Sequence, residues 1–254
     1  MNFPFRGQGL NEFPYIQQPK PFAAMSTTSN NQYLVISYLA LRKTIGFLGL
    51  LLPFILMIGG WIASGSSDVE PSISDYYYTK LGSVFVGTLS VVAMFLFAYK
   101  GYETADRIAG FLGCVFALGV VFFPTAPCPE PEGYQKIFGY LHFAFAGLFF
   151  TVLIFFSLVL FTKSSTSHRM TGRKKMRNTV YHVCGYIMIA CILGIAVFSI
   201  WFDPEDCKVE DGDVTFWLET IALMAFGASW LVKGELILKD LNTPQQSEDE
   251  ERNY

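Results

Sequence analysis

Charge is what this sequence has least of. Asp, Glu, Lys and Arg make up 15% of its 254 residues, against roughly 25% in ordinary soluble domains. Histidine occurs three times, as His142, His168 and His182, so a metal centre built on several imidazoles would lack its ligands. There is no G-x-G-x-x-G, Walker A, G-x-S-x-G or C-x-x-C. Their absence removes the sequence signals for dinucleotide binding, a P-loop, a nucleophile elbow and a dithiol redox centre. Nothing marks a nucleic-acid-binding module, no cofactor is predicted, and neither an internal repeat nor a soluble domain is visible.

Apolar residues fill the space that charge leaves. They form 52% of the chain, and aromatics 17%. Six stretches, 45–64, 81–99, 108–124, 137–162, 180–202 and 214–232, carry few or no charges. Each is long enough to cross a hydrocarbon core of about 30 Å at 1.5 Å per residue. They are apolar on all sides, where a buried helix of a soluble protein would need only one apolar stripe. The expected fold is therefore an all-α, six-helix integral membrane bundle.

Its orientation follows from the basic residues, which are retained on the cytoplasmic side of spans. With both termini cytoplasmic, all but Lys80, Lys136 and Lys208 of the 18 Lys and Arg residues lie inside, and the three outer loops hold 11 acids. Trp61, Trp201 and Trp217 then mark the outer boundary, and Tyr99, Tyr102 and Trp230 the inner one. The natural setting is the inner membrane of a bacterium.

Around the spans, residues 1–32 are rich in Pro, Asn, Gln and Ser and read as a disordered cytoplasmic arm, with Met1 or Met25 as the start. Residues 33–44 read as an interfacial helix, 45–235 as the transmembrane domain and 236–254 as an acidic tail. Cys114, Cys184 and Cys191 fall in spans as small apolar residues. Cys128 and Cys207 fall in outer loops, where an oxidising exterior permits a disulfide. Ala109, Gly113 and Ala117, then Ala222, Ala225 and Ala228, put small residues at helical spacing for close packing in lipid.

Glu219 interrupts the apolar run FWLETIALMAFGASWLVKGE. A charge within a span costs about 2.5 to 3.5 kcal/mol or more near the centre, so it faces the bundle or a wet cavity. Glu219 and His142 each lie five residues below the outer start of their spans, and the loop SISDYYYTK enters from the same side. Three uses of such a group stay open: a hydrogen bond that fixes helix register, a pocket for a lipid or solute, and metal or proton chemistry. At the opposite end, Arg173, Lys174, Lys175 and Arg177 form a basic run suited to contact with anionic lipid.

The stretches PSISDYYYTKLGSVFVGTLS, AYKGYETADRIAGFLGCVFALGVVFFPTAP, LHFAFAGLFFTVLIFFSLVLFTK and FGASWLVKGE resemble bacterial six-span membrane proteins of uncharacterised function. They are distantly similar to the DRAM and Sfk-type membrane families. The resemblance implies a six-span bundle and no reaction. The sequence thus reads as a multi-pass membrane protein that binds a lipid or small solute in an outward-facing pocket of Glu219, His142, Asp75, Tyr77 and Ser74. A metal-dependent intramembrane hydrolase acting on lipids and a proton-coupled or ion transporter are the alternatives. Membrane lipids are the expected partners, and a homo-oligomer or a membrane-protein partner is compatible with the chain.

Overall fold

The computed structural model describes residues 28–101, 103–127, 132–163, 172–201 and 213–238. The proposed disulfide partners Cys128 and Cys207, the alternative start Met25 and most of the acidic tail lie outside these residues. Within them the chain is helical: α1 Thr28–Ser64, α2 Gly82–Ala98, α3 Thr104–Phe122, α4 Gly133–Phe155, α5 Gly172–Trp201 and α6 Val214–Lys233. A 3-10 turn, Ser74–Tyr78, precedes α2, and a π turn, Phe156–Leu160, continues α4. Five helices are long and apolar enough to span a membrane, and α2, with 17 residues, is the shorter sixth. This is an all-α, multi-pass membrane bundle.

Two segments differ from their sequence reading. Helix begins at Thr28, inside the stretch read as a disordered arm, and no break separates 33–44 from the first span. Its 37 residues give a rod of about 55 Å, so one end extends past a hydrocarbon core of about 30 Å. Pro53 lies inside α1 without ending it. At Gly65 the chain leaves the helix with φ +76°, the left-handed conformation that glycine adopts without strain, and its N–H reaches the Trp61 carbonyl at 2.9 Å.

Chain order is also spatial order. Each helix packs on the next, and α1 packs on α6 to close the ring. Small residues set the closest approaches, because lipid offers no hydrophobic drive to hold helices together and packing must do it. On α6, a Cβ at Gly227 would lie 2.7 Å from the Gly46 carbonyl oxygen and 2.9 Å from the Leu50 nitrogen of α1. On α3, a Cβ at Gly110 would lie 2.5 Å from the Leu96 oxygen of α2. Cys114, Cys184 and Cys191 are buried free thiols.

Alternating helices give the bundle two distinct ends. One gathers the end of α1, the 70–79 loop and the starts of α2, α4 and α6; its loops are acidic. The other gathers Arg42, the start of α3, the end of α4, the start of α5 and the end of α6; it is basic. Trp230 and Tyr99, expected at an interface, are instead fully buried just inside the basic end. Trp230 lies 5.2 Å from the Tyr99 ring, 5.3 Å from Phe156 and 5.2 Å from Phe161. These edge-on and tilted contacts bury aromatic area that an interfacial position would leave in the headgroups.

Gly227→Ala should lower the unfolding midpoint in detergent by the equivalent of about 1 to 3 kcal/mol, since the colliding atoms are backbone and cannot swing away. Gly87, where a Cβ would meet nothing within 4 Å, provides the control: Gly87→Ala should be neutral or slightly stabilising. Equal midpoints for the two variants would contradict the close α1–α6 crossing.

Candidate functional site

At the acidic end, Glu219 holds a loop in place. Its Oε2 accepts the Ile73 backbone N–H at 2.7 Å. One turn earlier on α6, the Phe216 N–H, one of the donors that a helix start leaves without an internal partner, bonds to the Pro71 carbonyl at 3.0 Å. The 70–79 loop is thereby docked on the first turns of α6. Tyr76 beneath it is buried against Gly60 and lies 6.2 Å from the Phe216 ring.

Asp75 continues the connection. Its Oδ1 accepts the Thr125 hydroxyl at 2.8 Å and its Oδ2 accepts the Ser72 hydroxyl at 2.8 Å. Tyr78 donates to the Thr125 carbonyl at 2.6 Å. His142 then bonds through Nδ1 to the Phe123 carbonyl at 2.7 Å. A carbonyl can only accept, so Nδ1 carries the proton. Links run unbroken from α6 through the loop and the 123–125 segment to α4.

The structure therefore brings Glu219, Asp75 and His142 to one end, joined through the 72–75 turn and the 123–125 segment. Among the described residues no bond joins Glu219 directly to His142. Ser74 is buried in the same 3-10 turn, and Tyr77 packs edge-on against Tyr78 at 5.1 Å. No group of three or more His, Cys, Asp or Glu among the described residues is arranged to hold a metal ion. Thr125 and the Phe123 carbonyl are the partners that the sequence did not reveal.

Two cavities lie at the basic end, and none of the five residues assigned to an outer pocket lines either of them. The more enclosed, of about 200 Å³, has five cations, Arg42, Lys163, Lys174, Arg177 and Lys233, and one carboxylate, Glu235, in its wall. Arg42, 3% exposed, lies 4.4 Å over the Tyr38 ring and 5.6 Å from that of Tyr99, and its Nη1 meets the Lys233 carbonyl at 3.5 Å. Lys233 Nζ reaches the Phe161 carbonyl at 3.4 Å and lies 5.3 Å over the same residue's ring. Lys163 pairs with Glu103. A broader, open groove of about 630 Å³ runs beside it, lined by Lys100, Glu103 and Arg107.

Of the basic run, Lys174 and Arg177 line the enclosed cavity, one helical turn apart and half-buried. Arg173 and Lys175 are exposed and do not line it. The π turn bears on this site too. Phe161 N–H bonds to Phe156 O at 2.9 Å, the i to i+5 pattern, which inserts one residue into the turn and shifts the register of Phe161 and Lys163 behind it. Buried Ser157 donates to the Tyr181 carbonyl at 2.8 Å and ties that turn to α5. Arg42, next to Lys43, and Lys233 had a readable signal in the sequence, as cations beside apolar runs, but each looks like an interfacial charge.

Glu219→Gln keeps an acceptor for the Ile73 N–H, whereas Glu219→Ala leaves that donor without one. The Ala variant should lose about 1 to 3 kcal/mol of stability and the Gln variant much less; equal loss in both would mean that the charge, not the hydrogen bond, matters. Above the same end, burial and the neighbouring Asp75 raise the Glu70 carboxyl above its ordinary value of 4.5. A raised carboxyl favours the fold in its protonated form, a contribution present below pH 4.5 and lost as pH rises through the folded value. Glu70→Gln should therefore gain melting temperature relative to wild type as pH rises through that window. A constant difference would rule this contribution out.

Compared with family models, curated proteins and solved structures, the chain matches none, so its functional reading rests on the geometry of its two ends.

Proposed function

We propose that this multi-pass membrane protein binds the phosphate headgroup of anionic lipids in the enclosed cavity at the basic end of its bundle. The carrying observation is the convergence of five cations, from α1, α5, α6 and the segment after the π turn, against one carboxylate on one small space. Gathering like charges in a partly buried place is unfavourable on its own, and a bound anion reverses the sign of that interaction.

Helix polarity points the same way. A helix start carries roughly half a positive charge and favours acids in its first turn. α5 starts with Gly172, Arg173, Lys174 and Lys175 and has no acid there. The dipole and the side chains thus add positive potential at one spot, the arrangement that binds phosphate at helix starts. Arg42 and Lys233 are held in advance by Tyr38, Tyr99 and Phe161, so little side-chain freedom is lost when an anion arrives.

The distribution of Lys and Arg supports a cytoplasmic basic end; in a bacterial inner membrane, the setting expected from the sequence, anionic headgroups and the cavity would share one level. The ligand site is moved by this reading from the outer pocket of Glu219, His142 and Asp75 to the inner face. The outer residues act as a clasp, since their bonds run to the backbone and to one another.

Native mass spectrometry in detergent tests the proposal with phosphatidylglycerol and phosphatidylcholine as probes. Phosphatidylglycerol should be retained and phosphatidylcholine stripped. Each of Lys174→Gln, Arg177→Gln and Lys233→Gln should weaken retention about 5-fold, from roughly 1 kcal/mol per basic residue near anionic lipid. Arg173→Gln and Lys175→Gln should have smaller effects. Equal retention of both lipids would overturn the proposal.

A further inference from the structure

The two cavities at the basic end share a wall. Glu103 lines the open groove, and its carboxylate pairs with Lys163, which lines the enclosed cavity. Both side chains of this pair are about half exposed, 42% for Lys163 and 56% for Glu103, so the pair is held weakly against water. The groove itself is lined by two more cations, Lys100 and Arg107. Two basic recesses therefore lie side by side, separated by one exposed ion pair.

Resting on the reading of the enclosed cavity as a phosphate site, we propose that the preferred ligand is a lipid with two phosphates joined by a short linker, one in the cavity and the other in the groove. Four features support it. The enclosed cavity, at about 200 Å³, is smaller than the 300 to 1,000 Å³ of pockets that take a drug-sized molecule whole, so it suits one headgroup phosphate and not a doubled one. The groove adds its own cations, on the loop before α3 and in its first turns. Its floor is fixed: Gly101 has φ +43°, a Cβ there would fall on Asp106, and Asp106 itself accepts the Glu103 N–H at 2.9 Å. The position of the groove at the same end of the bundle places the second site at headgroup depth, where a tethered phosphate is delivered at high effective concentration.

A soluble diphosphate carries similar charges without the chains, and the experiment separates the two sources. Full-length protein in detergent is titrated with diphosphatidylglycerol, with phosphatidylglycerol at matched phosphate and with inorganic pyrophosphate, and bound species are counted by native mass spectrometry. Wild type should hold the two-phosphate lipid at least about 25-fold more tightly than phosphatidylglycerol, from roughly 5-fold for each of the two extra cations. Pyrophosphate should not displace it. The double variant K100Q/R107Q should lose that preference while binding phosphatidylglycerol as before, which also reports that it is folded.

Equal affinity of wild type for the two lipids per phosphate, unchanged by K100Q/R107Q, would overturn this inference and leave the single-phosphate reading intact if K233Q still weakens binding. Displacement by pyrophosphate would overturn the lipid assignment. Retention of neither anionic lipid above phosphatidylcholine would overturn both readings together.

Discussion

Hydrocarbon offers no hydrogen-bond partner, and that constraint orders the whole molecule. A polar atom placed among acyl chains must find its partner within the protein or leave the membrane. The spans of this chain comply by being helical, so that their backbone is satisfied internally. The side chains that carry charge are pushed to the two ends. What remains between the ends is packing: glycine against backbone between α1 and α6, and, just inside the basic end, an aromatic cluster around Trp230. Neither could hold six helices in one arrangement by hydrophobic force, because the lipid around them is equally apolar.

The ends then divide the work. At the acidic end, carboxylates face donors: Glu219 takes a backbone N–H, Asp75 takes two hydroxyls, and His142 donates its proton to a carbonyl. Each bond from Glu219 and His142, and the Asp75 bond to Thr125, crosses between segments that are distant in sequence, so the network fixes the helix starts relative to one another. At the basic end the logic is reversed. Cations from α1, α5, α6 and the segment after the π turn line one cavity, with Glu235 the single carboxylate among them, and α5 presents its positive pole beside them. Their convergence is the observation on which the proposed anion site rests.

The fold was readable from sequence because its signal is repeated: six long apolar runs, and three loops that agree in the sign of their charge. Glu219 was readable as a polar anchor for the same reason, since a carboxylate stands out in an apolar run. Its partner was not readable. The acceptor-seeking group is the N–H of Ile73, and backbone donors have no identity in a sequence. Trp230 and Tyr99 misled for a related reason, as interfacial belts and buried aromatic clusters use the same residues near helix ends, and only the three-dimensional neighbours distinguish them. Lys174 and Arg177 were found as part of a run, but their separation from Arg173 and Lys175 required knowing which face of α5 turns inward.

The cavity and the core beneath it are one structure. Tyr99, Phe161 and Trp230 form the aromatic cluster, and the same Tyr99 and Phe161 carry Arg42 and Lys233 on their faces. The π turn contributes from the other side, since the residue it inserts sets the register in which Phe161 meets Trp230 and Lys163 meets Glu103. Rings packed on several neighbours have little freedom, and cations resting on them inherit that rigidity. Positive charge is therefore held at a fixed depth, just above the apolar core and below the exposed Lys163–Glu103 pair. In the proposed reading, a lipid phosphate at that depth would meet donors already in place, with its acyl chains in the hydrocarbon that the exposed faces of the helices require.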